Sequence, residues 1–80
     1  MDDLRRGRWS TLTNRQRQVL LLVIAGCSNR EIGSRLGVSL STAKWHVSRL
    51  MVAFGVSSRV DLVREAETDR RPGRDQRNSP

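Results

Sequence analysis

A single cysteine, Cys27, and a single histidine, His46, in a chain of 80 residues exclude the two devices by which very small folds are commonly stapled. A disulfide needs a second thiol, and a structural zinc site needs about four ligands. A chain of this size buries only roughly 60% of the surface it exposes when unfolded. Hydrophobic packing of short elements therefore has to hold it alone.

Those elements are marked by their ends. Gly26, Gly37 and Gly55 each close an apolar-periodic stretch, and each is followed by Ser within three residues. Gly at a stop and Ser or Thr at a start is the helix-terminus signature. Thr13-Asn14-Arg15-Gln16 and Ser28-Asn29-Arg30-Glu31 both have the form of a capping box. The pattern predicts four helices, over about 14–25, 29–36, 40–54 and 58–66, and no bounded run alternates as a strand would. An all-α, four-helix domain over 12–66 is expected, with a flexible N-terminal arm (1–11) and a disordered basic C-terminal tail (67–80). The tail has Pro, Gly and charges without apolar periodicity, and Trp9 is the one large aromatic group of the arm.

A short second helix, a tight turn at Gly37-Val38 and a longer third helix capped by Ser39 make a helix-turn-helix arrangement. On the third helix Ala43, Val47, Leu50 and Phe54 form one narrow apolar stripe, spaced as a core-facing row requires. Ser41, Trp45, Ser48 and Val52 centre on the opposite side, flanked by Lys44 and Arg49. That outer face carries no acid.

The formal net charge is +7, and its location matters more than its size. Residues 12–66 hold eight basic groups against three acids, and each end adds only +1. A polyanionic partner is the expectation, although charge says nothing about fold. Fourteen of the fifteen basic residues are Arg, which suits forked contacts to phosphate and guanine.

Four separated blocks then agree in order and spacing with a known family. Leu12-Thr13-Asn14-Arg15-Gln16-Arg17-Gln18-Val19-Leu20, Ala25-Gly26-Cys27-Ser28-Asn29-Arg30-Glu31-Ile32, Val38-Ser39-Leu40-Ser41-Thr42-Ala43-Lys44-Trp45-His46 and Gly55-Val56-Ser57-Ser58-Arg59 resemble the LuxR/GerE-type DNA-binding domain. The resemblance implies that the third helix enters the major groove of double-stranded DNA in a transcription regulator. Without a receiver or ligand-binding domain, the chain looks like a stand-alone GerE-like regulator or an excised domain. Carried over position by position, the base-reading residues are Lys44, Trp45 and Ser48. Trp45 can also be read as packing over the edge of the second helix. Ser41, Thr42 and Arg49 are the expected phosphate contacts, joined by Ser28, Asn29 and Arg30 at the N-terminus of the second helix, where free amides favour an anion. For Arg49 a solvated surface charge is the plainer alternative. Arg59 reads more as a structural donor than as a backbone contact.

The family's fourth helix implies a homodimer contact, here through Val60, Arg64 and Glu67 on the side opposite Leu62, Val63 and Ala66. Some positions depart from the pattern. Gln16 and Gln18 stand where Glu is common, Ala43 replaces Val, and Ala53-Phe54 replaces Lys-Leu. Gly33 sits inside the second helix where Ala is usual, and only a close approach of the third helix would justify its cost of up to about 1 kcal/mol.

No catalytic residue, metal site, cofactor or small-molecule ligand is expected: there is no phosphate loop, paired-carboxylate motif or ligand cluster. His46 reads as a packed or phosphate-touching side chain and Cys27 as a small filler. No apolar run nears the roughly 18 residues of a membrane span, so no membrane partner is expected and the location is expected to be cytoplasmic, at the nucleoid. One reading of another class stays open. The same fold could serve as a protein-interaction module, binding a second regulator or RNA polymerase through the first helix and the arm around Trp9.

Overall fold

The computed structural model describes residues 7–70. A 3-10 turn, Gly7–Thr11, precedes four helices: α1 (Asn14–Ile24), α2 (Asn29–Leu36), α3 (Leu40–Phe54) and α4 (Arg59–Arg70). Among the described residues there is no strand. The expected all-α, four-helix class is therefore the observed one.

The helix starts follow from local chemistry. Thr13 Oγ1 accepts from the Gln16 amide at 3.1 Å while Gln16 Oε1 accepts from the Thr13 amide at 2.9 Å. Ser28 and Glu31 repeat this reciprocal box at α2, at 3.1 and 2.7 Å. Ser39 opens α3 by accepting from the Thr42 amide, and Ser58 opens α4 by accepting from that of Asp61. Each box satisfies amides that would otherwise be orphaned.

The link between α2 and α3 depends on two glycines for different reasons. Gly37 takes φ 71°, a left-handed conformation that costs a side-chain-bearing residue about 1 kcal/mol or more. Gly33 lies inside α2 at the closest approach to the start of α3: a Cβ there would stand 2.8 Å from the Val38 carbonyl oxygen. The close approach expected from its odd placement is present.

α3 packs against each of the other three helices. Its stripe of Ala43, Val47, Leu50 and Phe54 is buried, meeting Val19, Leu20 and Val23 from α1, Ile32 from α2 and Leu62 and Ala66 from α4. Cys27 is buried as a filler between α1 and α2. Among the described residues no polar or charged residue is buried, so the core carries no desolvation cost for ionised groups.

Three boundaries differ from expectation, among them the start of α4, at Arg59 rather than 58. α1 ends one residue early, with Ala25 as its cap. α4 continues to Arg70, so residues 67–70, expected in the tail, are helical. The added turn of α4 is bonded to the N-terminal turn. Asp69 Oδ2 accepts from the amides of Arg8 and Trp9 at 2.7 and 3.2 Å, and the Trp9 indole N–H donates to the Ala66 carbonyl at 2.8 Å. Trp9 is half-buried against the core, and the Arg8 guanidinium lies 5.7 Å from the Phe54 ring centroid. Residues 7–11 are thus a clasp on α4. The remainder of the expected arm (1–6) and tail (71–80) lies outside the described residues.

Candidate nucleic-acid interface

With one stripe of α3 fixed in the core, the opposite face is fixed in solvent. Ser41, Lys44, Trp45, Ser48, Arg49 and Val52 are all exposed. Trp45 is 57% exposed, so it does not pack over α2 as the alternative reading would have it. Its ring has two close neighbours: the His46 imidazole meets it edge-on at 5.1 Å, and the Arg49 guanidinium sits 5.7 Å from its centroid. A cation over an indole face is attracted by the ring quadrupole, and neither contact takes the indole out of solvent. His46 itself is half-buried, and its Nδ1 is buried with no hydrogen-bond partner.

The face is cationic and carries no acid along its whole length. The ion pairs among the described residues lie elsewhere: Arg8 with Glu65 at 4.0 Å and Arg64 with Asp61 at 3.4 Å. Lys44, Arg49 and, at the start of α2, the exposed Arg30 are not neutralised by either.

The expected phosphate contacts fall into two groups. Ser41, Arg49 and Arg30 present exposed side chains. Ser28, Asn29 and Thr42 have their oxygens committed within the fold: Ser28 Oγ to the Glu31 amide, Asn29 Oδ1 to Arg59 at 2.9 Å, and Thr42 Oγ1 to the Ser39 hydroxyl at 3.0 Å. Each has a donor left over, either a hydroxyl hydrogen or the Asn29 amide, and donors are what a phosphate oxygen needs.

Arg59 is a structural donor. Besides Asn29 it donates to the Cys27 carbonyl, so one guanidinium on α4 fixes the loop that delivers the N-terminus of α2. Sequence reasoning gave Arg59 the right kind of role but not these partners, because they lie 30 and 32 residues away.

On α4, Val60 is 65% exposed and Arg64 is exposed, while Glu67 is half-buried. On α1, Leu21 is 47% exposed. Val52, placed on the outer face by the helical wheel but given no role, is 73% exposed. Among the described residues no three metal-ligating side chains come together, and no helix is long and apolar enough to cross a membrane.

The sequence matches bacterial regulatory proteins of the luxR family over residues 10–66. It is 43% identical over 58 residues to an HTH-type transcriptional regulator of Mycobacterium bovis, and equally so to one of Mycobacterium tuberculosis. The match takes in 72% of this chain and 7% of the length of each relative.

Proposed function

The chain belongs to the luxR family of bacterial regulatory proteins, and from that premise we propose that it binds double-stranded DNA sequence-specifically as a transcription regulator, with α3 in the major groove. The observation that carries this reading is the outer face of α3, which is acid-free and exposed while the opposite stripe is locked in the core. Lys44 donates to guanine O6 or N7, Ser48 to a base edge of either kind, and Trp45 presses its ring on the groove floor. Arg49, Ser41 and Arg30 hold phosphates and fix the register, with Ser28, Asn29 and Thr42 adding their leftover donors.

Two copies pair through α4, with Val60 at the centre and Arg64 and Glu67 at its edge, on half-sites about one helical turn apart. The protein acts in the cytoplasm, at the nucleoid. A contact with another regulator or RNA polymerase through α1 has Leu21 as its exposed apolar group. Trp9 does not belong to such a surface in this fold, since its indole N–H is bound to α4.

The test starts from the tightest duplex recovered by selection from random-sequence DNA. Lys44→Ala and Trp45→Ala each lower affinity for that duplex at least about tenfold, the scale of one lost base contact, while the unfolding midpoint stays within about 0.5 kcal/mol of wild type, as for exposed sites. Wild-type affinity in both variants would sink the proposal.

A further inference from the structure

The outer line of α3 reads Ser41, Trp45, Ser48, Val52, at i, i+4, i+7 and i+11. Its two large members are apolar, and they are also the most exposed large hydrophobic residues of α3, Val52 at 73% and Trp45 at 57%. Solitary exposed apolar residues need no explanation. Here two lie on one line, flanked by Lys44 and Arg49, on a helix without an acid. A partner for such a surface has to be anionic and yet offer small apolar groups at a fixed spacing. The major groove of DNA does so, because thymine carries a C5-methyl group beside its O4 acceptor and cytosine does not.

We propose that Trp45 and Val52 read pyrimidine C5-methyl groups at two separate positions of one half-site; this rests on the major-groove reading above. Seven residues of helix advance about 10.5 Å, which is about three base-pair steps at about 3.4 Å of axial rise each and about two where the oblique path of the groove lengthens the step. The indole is suited to the task because it stays exposed while making contact with both the Arg49 guanidinium and the His46 imidazole. Val52 is suited because a β-branched side chain has one strongly preferred χ1 rotamer in a helix. Ser41 and Ser48, with short side chains able to donate or accept, discriminate poorly between base edges. The two apolar residues therefore carry the preference that Lys44 does not.

The experiment replaces thymines of the selected duplex by uracil, one at a time, which removes only the methyl group and leaves pairing intact. Two positions, two or three base pairs apart, each lose affinity about fourfold, the effect expected for one methyl group no longer buried. With Trp45→Ala the loss disappears at one position, and with Val52→Ala at the other. Replacing a cytosine by 5-methylcytosine at either position in a weaker duplex restores binding in the wild type, and fails to do so only in the variant that lacks the residue reading that position. Each protein is compared with itself on duplexes that differ by one methyl group, so the folded state of a protein variant does not confuse the result. If uracil is tolerated throughout while Lys44→Ala still abolishes discrimination, the methyl proposal falls and the regulator reading stands. If no duplex is preferred over random DNA, both fall.

Discussion

A Cβ at position 33 would lie 2.8 Å from the carbonyl oxygen of Val38 and 3.4 Å from that of Ser39, both backbone atoms at the threshold of α3. Alanine would add up to about 1 kcal/mol of helix propensity at an unconstrained site. Here it forces the turn outward, and overpacking of this kind costs about 1–3 kcal/mol. Gly33→Ala is thus expected to lower stability by about 1 kcal/mol net, read as a fall in the urea midpoint; an unchanged or higher midpoint would show that the turn yields freely. Two arginines of the site are separable in the same way. Arg59 is bound to the Cys27 carbonyl and Asn29, whereas Arg30 is exposed. Arg59→Ala is expected to cost about 1.5–3 kcal/mol, the usual value of charge-assisted bonds. Arg30→Ala should leave stability within about 0.5 kcal/mol and instead weaken DNA binding on all sequences alike, lowering the salt slope by about one. Urea unfolding and salt-dependent titration of both variants check the assignment, and an exchange of the two phenotypes would refute it.

The elements differ in how far the sequence reveals them, and the difference is one of range. A cap joins residues three apart, and an apolar stripe repeats within two turns. The starts of α1, α2 and α3 and the buried stripe of α3 could therefore be read directly, and the outward placement of Lys44, Trp45 and Ser48 came with them. The end of α4 could not be read this way. Glu67, Thr68, Asp69 and Arg70 have no apolar periodicity, and the groups bonded to this end of the helix lie 57 to 61 residues back. The same limit hid the bond between Arg59 and Asn29. If the clasp is what extends α4, then Trp9→Ala, which removes a half-buried ring and its bond to Ala66, frays the last turn first. Amides of residues 67–70 should exchange at least about tenfold faster, the equivalent of 1.4 kcal/mol, while those in the middle of α3 change less. Uniform acceleration through the whole chain would instead make Trp9 an ordinary core residue.

At the scale of the whole molecule, the charge of +7 has two parts with different expected effects. Lys44 and Arg49 stand at set positions on a helix that packs against all three others, so their contacts depend on which base pairs lie beneath them. The segment 71–80 adds Arg71, Arg74 and Arg77 against Asp75 and has no apolar residue able to bury itself in the core beyond two prolines. Cations of the second kind act by releasing counterions, which contributes affinity without regard to sequence, at a slope of about 0.9 per phosphate neutralised. A chain ending at Arg70 is therefore expected to bind every duplex more weakly, with a salt slope smaller by about two to three per protomer, while the ratio of affinities for selected and random DNA stays the same. Titrations of both chains at several salt concentrations measure slope and ratio independently. A ratio that collapsed with the slope would place sequence reading in the tail and take it away from α3. A self-association through α4 makes its own demand on these titrations. Val60→Asp buries a charge in any isologous contact centred there, so it should halve the mass of the DNA-bound protein in light scattering and reduce the slope per complex, yet leave the slope per protomer unaltered. An unchanged mass with and without DNA would exclude the α4 pairing, and the slope would then have to be counted for a single copy.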